Sequence, residues 1–183
     1  MDKDVKEHIK NLGSSDDKVR LNALQTVLKL TDQKVDWVYD VWDDLVLKLD
    51  DDNSYQRSIA IMVLCNLLKS DTENRLEGCL DRLLAHTRDE KFITSRQCLQ
   101  NVWKVAGTSE RTRAIVLDHL EKQFEGCAEE SHSNLIRQDI IQSMVLVYKI
   151  TMDEPVLSRA KELIKMEKAE KYRKKYEAIV NQN

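Results

Sequence analysis

The sequence predicts an all-α chain built as a row of similar helix pairs, and three observations carry that expectation. The first is punctuation: 183 residues contain one Pro and four Gly, too few turn residues for an architecture of many short strands. The second is periodicity, with apolar residues recurring at helical spacing through long stretches separated by short polar breaks. The third is a recurrence of Arg at Arg20, Arg57, Arg96 and Arg137, at spacings of 37, 39 and 41 residues, the period of two-helix repeats. Apolar residues make up 42% and charged ones 33%. That balance excludes a disordered chain and supplies a core without staples.

The elements follow in order. A leading helix from Asp2 to Leu12 is expected to end at Gly13 in a left-handed cap. Asp17 to Leu30 pairs with Val35 to Leu49, and Ser54 to Lys69 with Glu73 to His86. Glu90 to Ala106 pairs with Ser109 to Glu125, and Ser133 to Ile150 with Glu154 to about Tyr176. Gly107 and Gly126 close two of these helices, and Pro155 stands in the first turn of the last, where a missing N–H costs nothing. No linker interrupts the series. It reads as one domain over residues 1–183, with repeats at about 14–50, 51–88, 89–126 and 127–176.

Aligned on the four arginines, the first helices share an apolar stripe. Three residues on lie Ala23, Ala60, Leu99 and Ile140; seven on, Val27, Leu64, Trp103 and Met144; ten on, Leu30, Leu67, Ala106 and Val147. The segment Ser15-Asp16-Asp17-Lys18-Val19-Arg20-Leu21-Asn22-Ala23-Leu24 resembles the HEAT-repeat family, with its D-x-x-V-R-x-x-A-L pattern, and Asp52 to Ala60 keeps part of it. The resemblance implies a right-handed superhelix, an α-α solenoid of about four helix pairs plus the leading helix. It also implies a ladder of polar contacts from each Arg to an acidic residue, carried here by Asp16 or Asp17 with Asn53 as a substitute. Phe92 and Ser133 stand at the acidic position of repeats three and four, so the ladder is expected to be interrupted there. In the family the second helices line the concave face.

Helical phase sorts those second helices into buried and outward strips. Val38, Val41, Trp42, Leu45 and Leu49 bury in the first, leaving Asp36, Asp40, Asp43 and Asp44 outward with Trp37 at the margin. Leu76, Leu80, Leu83 and Leu84 bury in the second, leaving Gly78, Asp81 and Arg82 outward beside Arg75 and His86. Val116, Leu117, Leu120 and Phe124 bury in the third, leaving Arg111, Ile115 and Lys122. Val156, Ala160, Leu163 and Ile164 bury in the fourth, leaving Ser158, Glu162 and Lys165. The expected partner-binding residues are therefore Asp36, Trp37, Asp40, Asp44, Arg82, Arg111, Lys122 and Lys165. Residues 1–52 carry a net charge of −5 and the remainder +2, so this face grades from acidic to basic.

Catalytic and cofactor patterns fail on spacing. Asp50-Asp51-Asp52-Asn53 opens like a calcium loop, but Tyr55 replaces its glycine and Ile61 its final glutamate. His8, His86, His119 and His132 have no His or Cys three or four residues away, so no local metal pair forms. Ser131-His132-Ser133 precedes a helix as a cap. No glycine-rich phosphate loop exists. Cys65, Cys79, Cys98 and Cys127 are scattered singly and read as buried small hydrophobes. Trp42 and Trp103 read as core.

The N-terminus lacks a signal or transit pattern and the longest apolar run, Ile59 to Cys65, is seven residues, which predicts a cytoplasmic chain without membrane spans. The net charge of −3 gives no general attraction to nucleic acid. The expected function is a non-enzymatic scaffold or adaptor that takes a protein partner on its concave face, with no cofactor and no metal. The alternative is a nucleic-acid-binding protein or a DNA-repair enzyme resembling the HEAT-like alkylpurine DNA glycosylases, which use Trp, Asp and Arg on such a face. No motif of theirs aligns here, and four aspartates on the first strip repel phosphate. From Arg159 to Lys175 there are eight basic residues and three acidic ones, a terminal helix that can also serve as a small docking patch for anions.

Overall fold

The computed structural model describes residues 1–182, and among them helices are the only regular structure. Contacts among the described residues gather into two compact units, one of residues 1–98 and one that begins at residue 99. The boundary falls inside the third predicted pair.

In the first unit, α1 (Lys3–Asn11), α2 (Asp17–Leu30) and α3 (Val38–Leu47) are followed by α4 (Ser54–Leu67) and α5 (Leu80–Ala85). The second helices are ragged, ending or beginning in single 3₁₀ turns at Lys48–Asp50, Arg75–Gly78 and His86–Arg88. Starts are set by side-chain caps. Asp2 accepts from the Val5 N–H at 2.9 Å, Asp16 from Lys18 at 2.8 Å and Val19 at 3.0 Å, and Asn53 from Tyr55 at 2.9 Å, each satisfying donors the first turn leaves orphaned. Gly13 departs from expectation. It does not take a positive φ, because Leu12 already ends α1 in right-handed geometry, its N–H bonded back to His8 and Ile9.

Helix α4 is buried on nearly every side, from Gln56 to Ile61 and from Val63 to Leu67. Its polar residues are satisfied by neighbours. Asn66 donates to the Leu28 carbonyl at 3.1 Å and to Thr31 Oγ1 at 3.2 Å, Gln56 to the Leu12 carbonyl at 3.0 Å, and Ser58 to Thr94 at 3.0 Å. Each fully buried aliphatic side chain here stabilises the fold by about 1.5–3 kcal/mol.

The predicted helix from Glu90 to Ala106 is two helices, α6 (Phe92–Leu99) and α7 (Val102–Ala106). Within the second unit, the break between them is held by tertiary and local bonds. Ser143 donates to the Leu99 carbonyl, Gln100 to Asp139 at 3.1 Å, and the Trp103 indole to the Gln100 carbonyl at 3.1 Å. The break rotates the stripe, so Trp103 is half-buried instead of core. Leu30, on the last turn of α2, is likewise 38% exposed, whereas the other ten stripe residues are buried.

The second unit continues with α8 (Glu110–Gly126), α9 (Ser133–Thr151), α10 (Glu154–Met166) and α11 (Glu170–Asn181). Pro155 sits in the first turn of α10. The segment before α9 does end at a cap position, but His132 occupies it in the left-handed region at φ 60° with no side-chain cap. The single last helix expected to run to Tyr176 is divided at Glu167 to Ala169. Glu167 turns inward, accepting from Arg137 at 2.9 Å and from the Ala169 N–H at 2.9 Å, and this buried ion pair ends α10 where no Gly or Pro would.

Candidate interaction face

All seventeen residues that helical phase assigned to the buried sides of the second helices are buried. The opposite strip of α3 and the residues just before it present Asp36, Asp40, Asp43 and Asp44 to solvent. Trp37 is a correction: it is 7% exposed, because α3 begins only at Val38 and the turn before it folds the indole into the core. It therefore offers nothing to a partner. Leu47 was missed. It is 70% exposed and follows Asp40, Asp43 and Asp44 at helical spacing, so the strip has an apolar end that its phase could have revealed.

The strip is also less uniformly acidic than its composition. The guanidinium of Arg75 lies 3.6 Å from Asp43 and stacks 4.3 Å from the Tyr39 ring, while the Tyr39 hydroxyl donates to Asp71 at 3.1 Å. Arg82 donates to Asp50 at 2.5 Å and to the Val46 carbonyl at 2.8 Å. Arg82 thus has an anchored guanidinium, not a freely offered one. The amino terminus reaches Asp40 at 3.6 Å. Such half-exposed pairs set the register of α3 against the α5 segment more than they stabilise it.

In the second unit, Arg111, Lys122 and Lys165 are exposed, and Lys165 donates to Glu162 at 2.6 Å. Arg159, which phase did not single out, bridges α10 to Asp118 at 2.5 Å and to Glu121 on α8. Arg113 reaches Asp153 at 3.0 Å. The three bases and the α3 aspartates lie in separate units, and each strip stands by itself.

The arginine ladder is present but differently wired. Asp16 caps α2, while Asp17 pairs with Arg20, whose guanidinium also lies 5.0 Å above the Tyr55 ring of the next first helix. Asn53 caps α4 and is not a partner of Arg57. Arg57 instead holds Asp89, in the turn before α6, and Arg137 holds Glu167, in the turn before α11. Arg96 lies 5.8 Å from the Phe92 ring.

Burial pushes the Asp89 carboxyl up, but hydrogen bonds from Arg57, the Lys91 N–H and His86 outweigh it and bring it down to about 2. His86 Nδ1 sits 2.9 Å from Asp89. All four cysteines are buried thiols, and burial raises those of Cys79 and Cys98, leaving both in the unreactive protonated form. Among the described residues no three His, Cys, Asp or Glu side chains gather where they could hold a metal ion, and no helix is long and apolar enough to cross a membrane. The Asp50 to Asn53 segment is a helix connection in which Asp51 accepts from the Asn53 N–H at 2.8 Å.

No protein-family model matches this chain, and no curated protein matches it significantly. Solved structures do. An engineered protein superposes with a TM-score of 0.60 at 13% identity, over 98% of this chain and 78% of its own. A designed armadillo repeat protein in complex with the peptide (KR)4 gives 0.59 at 13% identity, over 97% and 80%. A crystal structure of computationally designed armadillo repeat proteins for modular peptide recognition gives 0.53 at 14%, over 96% and 80%. At such identities the likeness is one of fold, and the fold is an all-α, armadillo-like helical-repeat solenoid.

Proposed function

We propose that this chain is a non-enzymatic HEAT-type repeat module that binds a protein partner on the outward strips of its second helices. The observation that carries the reading is the solvent-facing row Asp36, Asp40, Asp43, Asp44 and Leu47, set on a fold shared with proteins designed to recognise peptides. Repeat solenoids present long side-chain rows without needing a pocket. The HEAT assignment rests on two-helix units and on Arg57, which reaches from one first helix to the turn before the next.

A partner for the α3 strip is an extended basic segment with an apolar residue for Leu47. Lysine or arginine side chains on alternate positions of such a segment complement the aspartates and speed encounter. The strip of Arg111, Lys122 and Lys165 suits an acidic segment.

The test is fluorescence anisotropy with a labelled (KR)4 peptide against the full chain, compared with the variant Asp36→Lys, Asp40→Lys, Asp44→Lys. Binding that weakens in the variant and fades with salt supports the reading. Equal binding by both chains refutes it. Tight binding of random duplex DNA with a steep salt slope would move the assignment to nucleic acid.

A further inference from the structure

Arg75 is held differently from its neighbours Arg20, Arg57 and Arg82. Each of those three donates to a main-chain carbonyl, of Ser14 at 2.7 Å, of Asp51 at 2.9 Å and of Val46 at 2.8 Å, and is fixed by it. Arg75 holds only side chains among the described residues. Its Nε donates to Glu73 at 2.9 Å, its Nη1 lies 3.6 Å from Asp43, and the guanidinium stands 4.3 Å from the centre of the Tyr39 ring.

The surroundings of that guanidinium are built without it. The Tyr39 hydroxyl donates to Asp71 at 3.1 Å and accepts from the Glu73 N–H at 2.7 Å, which fixes the ring from its far end. Asp71 accepts in turn from the N–H groups of Arg75 and Leu76, both at 3.0 Å. The turn therefore keeps its shape through the main chain of residue 75, not through its side chain. The register against α3 has other fasteners too, from Tyr39 to Asp71 and from Arg82 to the Val46 carbonyl.

A fixed aromatic face flanked by two carboxylates suits a planar guanidinium, which stacks and donates at once; an ammonium is a compact charge that cannot lie flat on the ring. Asp43 is 82% exposed, Glu73 55% and Arg75 itself 35%, so a second cation can reach the same groups from solvent. Tyr39 and Asp43 are one turn apart on α3, beside Asp36, Asp40 and Asp44. We propose that Tyr39, Asp43 and Glu73 form an arginine-selective seat in the α3 strip, that Arg75 fills it in the free chain, and that an arginine of the basic partner displaces it. This inference rests on the reading of the α3 strip as the dock for a basic segment, and adds the side chain it selects and an internal competitor. Exposed ion pairs are weak, so the exchange costs little. A seat already filled lowers apparent affinity by the fraction of time it stands open.

Two labelled peptides of equal charge, (GR)4 and (GK)4, test the seat by anisotropy on the full chain in about 50 mM salt. On the parent they should bind within about twofold of each other, because Arg75 occupies the seat. Arg75→Ala retains the main-chain bonds to Asp71. It should tighten (GR)4 at least about tenfold and (GK)4 only about twofold, the share owed to one lost positive charge. Adding Tyr39→Leu should erase the arginine preference, whereas adding Tyr39→Phe, which keeps the ring, should retain it. Equal gains for the two peptides in Arg75→Ala, no gain for either, or a preference that outlasts the ring would each overturn the seat. The α3 reading would survive those results wherever Asp36→Lys, Asp40→Lys, Asp44→Lys still weakens binding. Binding of neither peptide to the parent or to Arg75→Ala at about 1 mM would overturn both.

Discussion

Arg57 and Asp89 meet across 32 residues of sequence in a two-pronged ion pair, Nε to Oδ2 and Nη2 to Oδ1, both at 2.8 Å. The same guanidinium donates to the carbonyls of Asp51 and Asp52 at 2.9 and 3.1 Å. One side chain therefore fastens the turn before its own helix to the turn before the next first helix. Tyr39 with Asp71, Asp43 with Arg75, and Asp50 with Arg82 repeat the 32-residue offset. The offset is the stacking register of the first unit, written in polar contacts.

Breaking this pair from one side should be costly, because the Arg57 and Asp89 side chains are only 9% and 3% exposed. Asp89→Asn should destabilise the chain by about 2–4 kcal/mol, since a buried guanidinium loses its counter-charge. Glu167→Gln should do the same to Arg137 in the second unit. The double change Arg57→Met, Asp89→Leu should recover much of the loss, since two apolar groups leave no buried charge unpaired. Urea unfolding followed by circular dichroism measures all three variants against the parent chain. Losses under about 0.5 kcal/mol for both single variants would show the ladder to be ornamental.

Acid should find the same pair. The Asp89 carboxyl in the folded chain lies below its ordinary value, at about 2, so its contribution is fully present above about pH 4 and is lost as pH falls toward 2. The stability gap between the parent chain and Asp89→Asn should accordingly be constant from neutral pH to about pH 5 and narrow below about pH 4. Urea midpoints taken at several pH values for both proteins give the answer; a gap that widens in acid contradicts the assignment.

Removing one repeat should leave a folded chain. Deletion of residues 51–88 joins Asp50 to Asp89 and brings Arg20 to within 31 residues of Asp89, next to the 30 and 32 of the two native rungs. Arg20 should then take over the partner of Arg57. Repeat stability is roughly a sum of local and neighbour terms, so cooperative unfolding should persist at a lower midpoint. Adding Asp89→Asn to the deletion should destabilise it further. If that second change costs nothing, the register did not transfer.

The α3 strip can be reversed in charge without harm to the fold. Asp36→Lys, Asp40→Lys and Asp44→Lys move six charge units on exposed positions and should cost about 0.5 kcal/mol per site or less. Asp40 gives up only a 3.6 Å contact with the amino terminus. Thermal melts of the triple variant within a few degrees of the parent confirm the helical phase; unfolding at room temperature would show those side chains to be structural.

Burial on the second helices was legible in the sequence because an amphipathic helix declares its buried side through a 3.6-residue period, whatever it packs against. The same arithmetic exposes Asp36, Asp40 and Asp44 and, one turn further along the strip, Leu47. Helix starts were legible where Asp16 and Asn53 supply local caps, since a cap acts within three residues. The recurrence of arginine was visible too, as a period.

Its partners were not. Asp89 and Glu167 sit at no fixed offset within their own repeats, so only the stacking of one pair on the next identifies them. Trp37 carries every mark of a surface aromatic until the turn before α3 folds it inward. Nothing in Met166 to Glu170 breaks a helix by propensity. Glu167 leaves the helix because its carboxylate is stabilised more by Arg137 than by solvent, and that energy exists only once α9 lies beside it. Sequence by itself determined the helices, their period and their buried faces, which depend on neighbours a few residues away. Tertiary structure alone decided the wiring of the ladder and the two helix breaks, because each depends on groups 30 or more residues apart coming within hydrogen-bonding distance.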